Sequence, residues 1–238
     1  MGSTTEFMEA IKEFNNLKSV LEIGCGDGHF IKLMKKSYQD TRVVGLELNR
    51  KTVEKNRAHG FEVSEQTIES FADEKVNHEA FDAVCSFQVL EHVPNPRAFI
   101  ESSLKCLKKG GFLFISVPNR DGFTQYLVND ILNMPPHHIT RWNYSVIKNV
   151  SKLFNLQIKS FKEEPVAEYH KKSYRMALLK KYIADFIGVK FRSVEPPFSI
   201  RYKIVQFFAF MLDIIIPKSF WKYNKFTGHT LCTTLIKN

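Results

Sequence analysis

The stretch Val20-Leu21-Glu22-Ile23-Gly24-Cys25-Gly26-Asp27-Gly28-His29-Phe30 constrains the fold more than any other part of the chain. Apolar residues run into three glycines spaced Gly-x-Gly-x-Gly, and a helical apolar pattern (Phe30, Ile31, Leu33, Met34) starts directly after them. That order reads as a strand, a tight turn and a helix. Glycine suits such a turn because a buried parallel strand must reverse into a helix over a few residues, and because a missing Cβ lets a ligand lie against the backbone. The helix N-terminus offers free N–H groups to a carboxylate or phosphate. Glu22 stands two residues before the first glycine, inside an otherwise apolar strand. A carboxylate there is costly without a partner, and an ammonium group on a ligand would be one.

The pattern Glu22-x-Gly24-x-Gly26-x-Gly28 resembles motif I of the class I S-adenosylmethionine (SAM) dependent methyltransferases at every position, whereas dinucleotide-binding folds space their glycines Gly-x-Gly-x-x-Gly. The resemblance implies SAM as cofactor and S-adenosylhomocysteine as product, with Glu22, Gly24, Cys25, Gly26 and Gly28 around it. A second strand, Arg42 to Glu47, ends in an acid about 20 residues past the turn, where a carboxylate can accept both hydroxyl protons of a ribose. Glu47 is the candidate, with Leu48 beside it; the alternative for Glu47 is a solvated helix cap, a task for which Asn49 is better suited. A helix from Arg50 to Ala58 stops at Gly60, and Phe61 to Ser64 makes a third strand. The loop Glu65 to Glu69 sits where related enzymes contact adenine, which assigns Gln66, Thr67 and Ile68; a plain surface loop is the alternative.

Phe81 to Phe87 is nearly continuous in apolar residues, as a strand covered on both faces should be. It leads into Gln88-Val89-Leu90-Glu91-His92-Val93, which resembles the Leu-Glu-His-Val signature of the ubiquinone-biosynthesis O-methyltransferases. The resemblance puts Phe87, Gln88 and His92 at the cofactor; the other reading of His92 is a polar residue packed below the site. In that branch an acid three residues before the Glu-His pair helps hold a divalent metal. Here Gln88 stands there, a poorer ligand for a hard cation than a carboxylate, so no metal is expected.

A helix from Pro96 to Leu107, closed by Lys108, Lys109 and Gly110, and a strand from Phe112 to Asn119 complete an alternation of strands and helices that argues a doubly wound α/β sheet. A helix from Tyr144 to Phe154 and strands at Leu156 to Phe161 and Thr230 to Ile236 extend this to a Rossmann-like seven-stranded sheet whose last strand, by resemblance, is antiparallel. The expected organisation is a SAM-binding domain over residues 1–163 and 229–238, with a helical insertion at 164–228. An N-terminal helix, Thr5 to Asn15, carries Phe7, Ile11 and Phe14 on one face. Many methyltransferases have a longer N-terminal cover, so a lid is expected from elsewhere in this chain.

After the fifth strand comes Met134-Pro135-Pro136-His137-His138-Ile139-Thr140-Arg141-Trp142. Histidine titrates near neutrality, so His137 or His138 could take a proton from a substrate hydroxyl as a methyl group arrives. Capping and packing around Trp142 is the alternative. The stretch from Pro165 to Gly228 holds 12 Lys or Arg against 4 Asp or Glu, a surplus of 8 in a chain of net charge +9. It also carries the apolar run Ile204 to Ile216 and the cluster Phe220-Trp221-Lys222-Tyr223-Asn224-Lys225-Phe226. Three readings fit it: a lid for an anionic substrate, peripheral contact with an anionic membrane, or a homodimer interface.

These features together suggest methyl transfer from SAM to an oxygen of a small, anionic molecule such as a sugar, nucleotide-sugar, glycan or lipid intermediate. Rival readings are small-molecule N-methylation, nucleic-acid methylation and a non-catalytic SAM-binding module. Base-modifying relatives carry an Asn/Asp-Pro-Pro-aromatic motif after strand four. Here that place reads Ser86-Phe87-Gln88-Val89, so nucleic acid is not the expected partner. Four scattered cysteines, a polar Met1 to Asn16 and no apolar run of about 20 residues point to a reducing, cytoplasmic setting.

Overall fold

A computed structural model describes residues 4–13, 17–190, 194, 199–221, 223 and 227–238. Phe14 and Asn15 of the expected first helix, and Lys222, Asn224, Lys225 and Phe226 of the aromatic cluster, lie outside the described residues. The strands are β1 (Ser19–Ile23), β2 (Arg42–Leu46), β3 (Glu62–Ser64), β4 (Phe81–Phe87), β5 (Leu107–Pro118), β6 (Leu156–Pro165) and β7 (Thr227–Lys237). They form one seven-stranded sheet in the order β3-β2-β1-β4-β5-β7-β6, with the last strand antiparallel. Helices α1 (Thr4–Glu13), α2 (His29–Ser37), α3 (Arg50–Ala58), α4 (Ile68–Asp73), α5 (Pro96–Cys106), α6 (Tyr144–Leu153), α7 (Lys171–Phe186) and α8 (Ile200–Ile215) connect or flank them.

Strand order reverses between β1 and β4, the place where open α/β sheets bind ligands beyond their carboxyl ends. The register makes that edge level: Ile23 lies opposite Leu46 of β2 on one side and Ser86 of β4 on the other. The residues just past those positions, Gly24, Glu47 and Phe87, therefore emerge together.

Several boundaries differ from the sequence reading. α5 ends at Cys106, and Lys108 to Gly111 belong to β5 instead of closing the helix. Leu107 already pairs with Phe81, while Ala83 pairs with Phe112, so the extra residues form an irregularity in β5. Gly110, at φ 72°, supplies the left-handed backbone there. β6 and β7 are also longer than their apolar alternation shows, running to Pro165 and starting at Thr227.

By contact, the chain divides into two compact units. The first comprises Met1–Val117, Tyr144–Lys162 and Cys232–Asn238; the second comprises Pro118–Asn143 and Glu163–Leu231, so the stretch after β5 joins the inserted helices. The core of the first unit centres on four aromatic rings. Phe87 meets Phe30 and Phe7 at 4.8 Å between centroids each, and Phe114 at 5.5 Å. In the second unit, Phe123, Val166, Tyr174, Ala177 and Leu178 form a smaller core. Arg175 of α7 clamps Asp213 of α8 through two hydrogen bonds of 2.5 and 3.2 Å, and also donates to the Tyr223 hydroxyl at 3.1 Å. Among the described residues no helix is long and apolar enough to cross a membrane.

Phe30 is fully buried between Phe7 and Phe87. Phe30→Ala is expected to lower the unfolding free energy by about 3–5 kcal/mol in urea titration, with the transition still cooperative.

Candidate active site

The glycine turn adopts left-handed backbone at all three positions, with φ 73° at Gly24, 49° at Gly26 and 71° at Gly28. At two of them the missing Cβ also serves packing within the protein. A Cβ on Gly24 would lie 2.5 Å from a methyl of Val89, and one on Gly28 would lie 2.5 Å from Asn56 Oδ1. Gly24 and Cys25 both donate N–H to the carbonyl of Leu46, at 2.8 and 2.9 Å. Asn56 donates to the Gly26 carbonyl at 2.7 Å.

Glu47 ties the turn to the end of β2. Its Oε2 accepts from Gly26 N at 3.0 Å, and its Oε1 accepts from Leu48 N and Asn49 N at 2.8 Å each. The cap of α3 is Asn49, which accepts from Thr52 N at 3.1 Å. Glu22 has no such support. Only 2% exposed, it leaves Oε2 without a hydrogen-bond partner. Burial, then the charge of Glu47, pushes its carboxyl well above the ordinary range. The Cys25 thiol is also pushed up, by burial first and then by Glu22 and Glu47.

Two cavities open at this edge and share Gly24, Glu47 and Val89. The first, about 320 Å³, has Glu22, Cys25, Gly26, Phe87 and Gln88 on its wall. The second, about 510 Å³, is lined by Leu48, Gln66, Thr67, Ile68 and His92 together with Val93, Pro94 and Phe99. Every residue singled out for the cofactor except Gly28 lines one of the two; Gly28 faces a neighbouring cavity with Asp27, His29 and Phe61. Of the stretch read as a loop at 65–69, Glu65 and Gln66 stay outside any helix, and α4 takes up the end. Thr67 is its N-cap, accepting from Ser70 N at 3.2 Å, and Ile68 is its first residue. His92 is exposed and stands 3.7 Å from Glu91, so it is not a residue packed below the site.

The sequence reading missed the contribution of α1. Phe7 lines the first cavity and meets Phe87 edge to face at 4.8 Å. Glu6 is buried and accepts from Gln88 Nε2 at 3.1 Å. The short N-terminal helix is thus part of the cleft wall, which its apolar face alone could have signalled. Gln88 holds φ 55° and also donates to Ser116 Oγ at 3.2 Å. Val89, Pro94 and Phe99 were missed as well; nothing in their local pattern separates them from ordinary core residues.

The histidine pair belongs to the second unit. His137 follows a cis Pro135-Pro136 bond and is exposed. His138 is half-buried and lines a cavity with Asn119, Arg120, Thr124, Asp130 and Arg141 of the same unit. Trp142 is buried, bridges to Asn119 through the backbone and donates to Thr140 Oγ1 at 2.9 Å.

Glu91, 1% exposed, has its carboxyl pushed up to about 7, by burial first, with Glu6 adding to the effect. In the unfolded chain it would ionise near 4.3. Between those values the native protein keeps a proton that the unfolded chain has lost, so this group's contribution to stability falls as pH rises through about 4.3 to 7. Glu91→Gln should remove that decline. Urea unfolding at pH 4.5 and 7.5 is expected to show the wild type losing on the order of 3 kcal/mol relative to the variant.

Comparisons with known proteins bear on the family and the fold. A family model described as "Methyltransferase domain" matches residues 4–163. The chain is 37% identical over 108 residues to the ubiquinone biosynthesis O-methyltransferase of Aliivibrio fischeri (strain MJ11), a match covering 44% of this chain and 45% of the relative. It is 29% identical over 140 residues to the protein of the same name from Hydrogenovibrio crunogenus, covering 54% and 57%. These matches span about half the length of each curated relative. A SAM-dependent methyltransferase from Archaeoglobus fulgidus superposes with a TM-score of 0.63 at 16% identity, over 98% of this chain and 92% of that one. The chain belongs to the methyltransferase-domain family, as a class I SAM-dependent methyltransferase.

Proposed function

We propose that this enzyme methylates a hydroxyl group of a small, anionic acceptor, with the two joined cavities as its cofactor cleft. The observation that carries the cleft assignment is a buried carboxylate oxygen on Glu22 with no partner, in a cleft whose other end is apolar. SAM matches that polarity. Glu22 would hold its ammonium group, Glu47 its ribose hydroxyls from the shared middle, and Leu48, Gln66, Thr67, Ile68 and His92 its adenine. Cys25, Gly26, Phe87 and Gln88 complete the polar end, with Gly28 keeping the turn and α3 in close contact. The bound cofactor supplies an electrophilic methyl group. The protein has to align the acceptor and exclude water, and such positioning can lower a barrier by roughly 7–11 kcal/mol.

Glu47 already satisfies three backbone N–H groups, so its carboxyl group is oriented before a ligand arrives. Glu22 resists ionisation until a cation faces it. Oxygen is favoured as the acceptor atom by the names of the relatives, both O-methyltransferases. His138 is favoured over His137 as the base because it is half-buried on a cavity wall, whereas His137 faces solvent. Arg120 and Arg141 on that wall suit an anionic acceptor.

Two measurements test these assignments. Titrating S-adenosylhomocysteine calorimetrically at pH 7 should show Glu22→Gln binding about 10-fold or more weakly than the wild type, because the amide offers no charge to the ligand ammonium; unchanged affinity would refute that role. Assays with labelled SAM and a panel of sugar, nucleotide-sugar and lipid-phosphate acceptors should yield an O-methyl product. His138→Ala is expected to lower kcat by about 10²–10⁴-fold while leaving S-adenosylhomocysteine affinity unchanged. An N-methyl product would overturn the choice of acceptor atom, and unchanged kcat would overturn the base.

A further inference from the structure

α8 is too apolar on its outer side for a helix left in water. Its sequence, Ile200-Arg201-Tyr202-Lys203-Ile204-Val205-Gln206-Phe207-Phe208-Ala209-Phe210-Met211-Leu212-Asp213-Ile214-Ile215, buries Val205 and Ala209 only. Ile204, Phe207, Phe208, Phe210, Met211 and Ile214 are each 40% exposed or more, with Phe207 at 59% and Ile214 at 65%. Projected at about 100° per residue, these six fill an arc of roughly 160° centred opposite Val205 and Ala209. Arg201 and Lys203, both exposed, lie toward the two margins of that arc. Scattered apolar residues on a surface need no explanation, but a continuous outward arc of this kind marks an interaction surface.

We propose that α8 is an interfacial anchor that lies in the plane of an anionic lipid bilayer, with this arc in the acyl boundary and its flanking cations at the head groups. At 16 residues the helix is about 24 Å long, short of the roughly 20 residues that a span requires. A helix with a wide apolar face, basic flanks and aromatic residues lies along the interface.

Charge selects the bilayer over a second copy of the chain. The sole acid of α8, Asp213, is clamped by Arg175, so the outer arc offers no carboxylate to the cations of another copy. The sequence from Pro165 to Gly228 has a surplus of 8 positive charges; two copies facing each other would bring like charges together, whereas acidic lipids neutralise them. The arc is also wide and convex. Acyl chains conform to such a surface, while a helical partner covers a narrower stripe. This inference does not depend on which acceptor is methylated.

The test is flotation of the full-length protein with phosphatidylcholine vesicles carrying about 30% phosphatidylglycerol, against vesicles of phosphatidylcholine alone. The expected result is at least about 10-fold stronger partition to the anionic vesicles, weakened by salt. The double variant Phe207→Ser/Phe210→Ser should lose at least about 10-fold in partition with its circular dichroism spectrum and melting unchanged, since both side chains are exposed. Arg201→Glu/Lys203→Glu keeps the apolar arc and should lose the preference for anionic lipid. Failure of the wild type to float with either vesicle, or flotation equal in wild type and both variants, overturns the proposal. So does sedimentation velocity showing a wild-type dimer that Phe207→Ser/Phe210→Ser dissociates, with no vesicle binding by the wild type.

Discussion

Two carboxylates at the ends of neighbouring strands set the terms for the whole site. Burial first, and then the charge of Glu47, raises the carboxyl of Glu22, and only Glu47 is compensated, by three backbone N–H groups. One of those groups belongs to Gly26, so the same interaction fixes the turn and orients the acid. A folded chain retains an unpaired buried oxygen at a cost of about 1–3 kcal/mol. The site accepts that cost at Glu22, where a cationic ligand can offset it.

The sheet makes this arrangement rigid. Level strand ends place the turn, Glu47 and Phe87 at one edge, and Phe87 then roots the edge in an aromatic core with Phe7, Phe30 and Phe114. α1 contributes twice, through Phe7 in that core and through Glu6 on Gln88. Gln88 is thereby engaged from both sides, by Glu6 and by Ser116 of β5. Its side-chain amide acts as a hydrogen-bond donor to the protein's own scaffold.

The second unit follows a different logic. Its described core is small, and the Arg175–Asp213 pair, joined by Tyr223, ties α7 to α8. That tie holds α8 to α7 by a thin stripe and leaves the rest of α8 outward. The cations that raise the net charge of the chain are concentrated in the same stretch of sequence. Apolar area and positive charge thus fall in one stretch of the chain, which is unusual for a surface shaped only by solubility.

Local pattern by itself determined the strand-turn-helix at 20–30, the bounds of α3 and β4, the stop at Gly60 and the acid at the tip of β2, because each depends on neighbours within a few residues: glycine conformations, a cap, an unbroken apolar run. Only the tertiary structure decided that α1 walls the cleft, that Thr67 begins a helix, that β5 starts directly after Cys106 and that His92 is exposed, since each depends on a partner distant in sequence. The same distinction explains the glycines. Their positive φ is a local property of the turn, but that Gly24 makes room for Val89 and Gly28 for Asn56 follows from packing between segments that are 65 and 28 residues apart. Likewise, a surplus of basic residues, an apolar run and an aromatic cluster marked out the insertion, whereas which side of α8 packs was decided by the burial of Val205 and Ala209 and by the Arg175–Asp213 pair with α7.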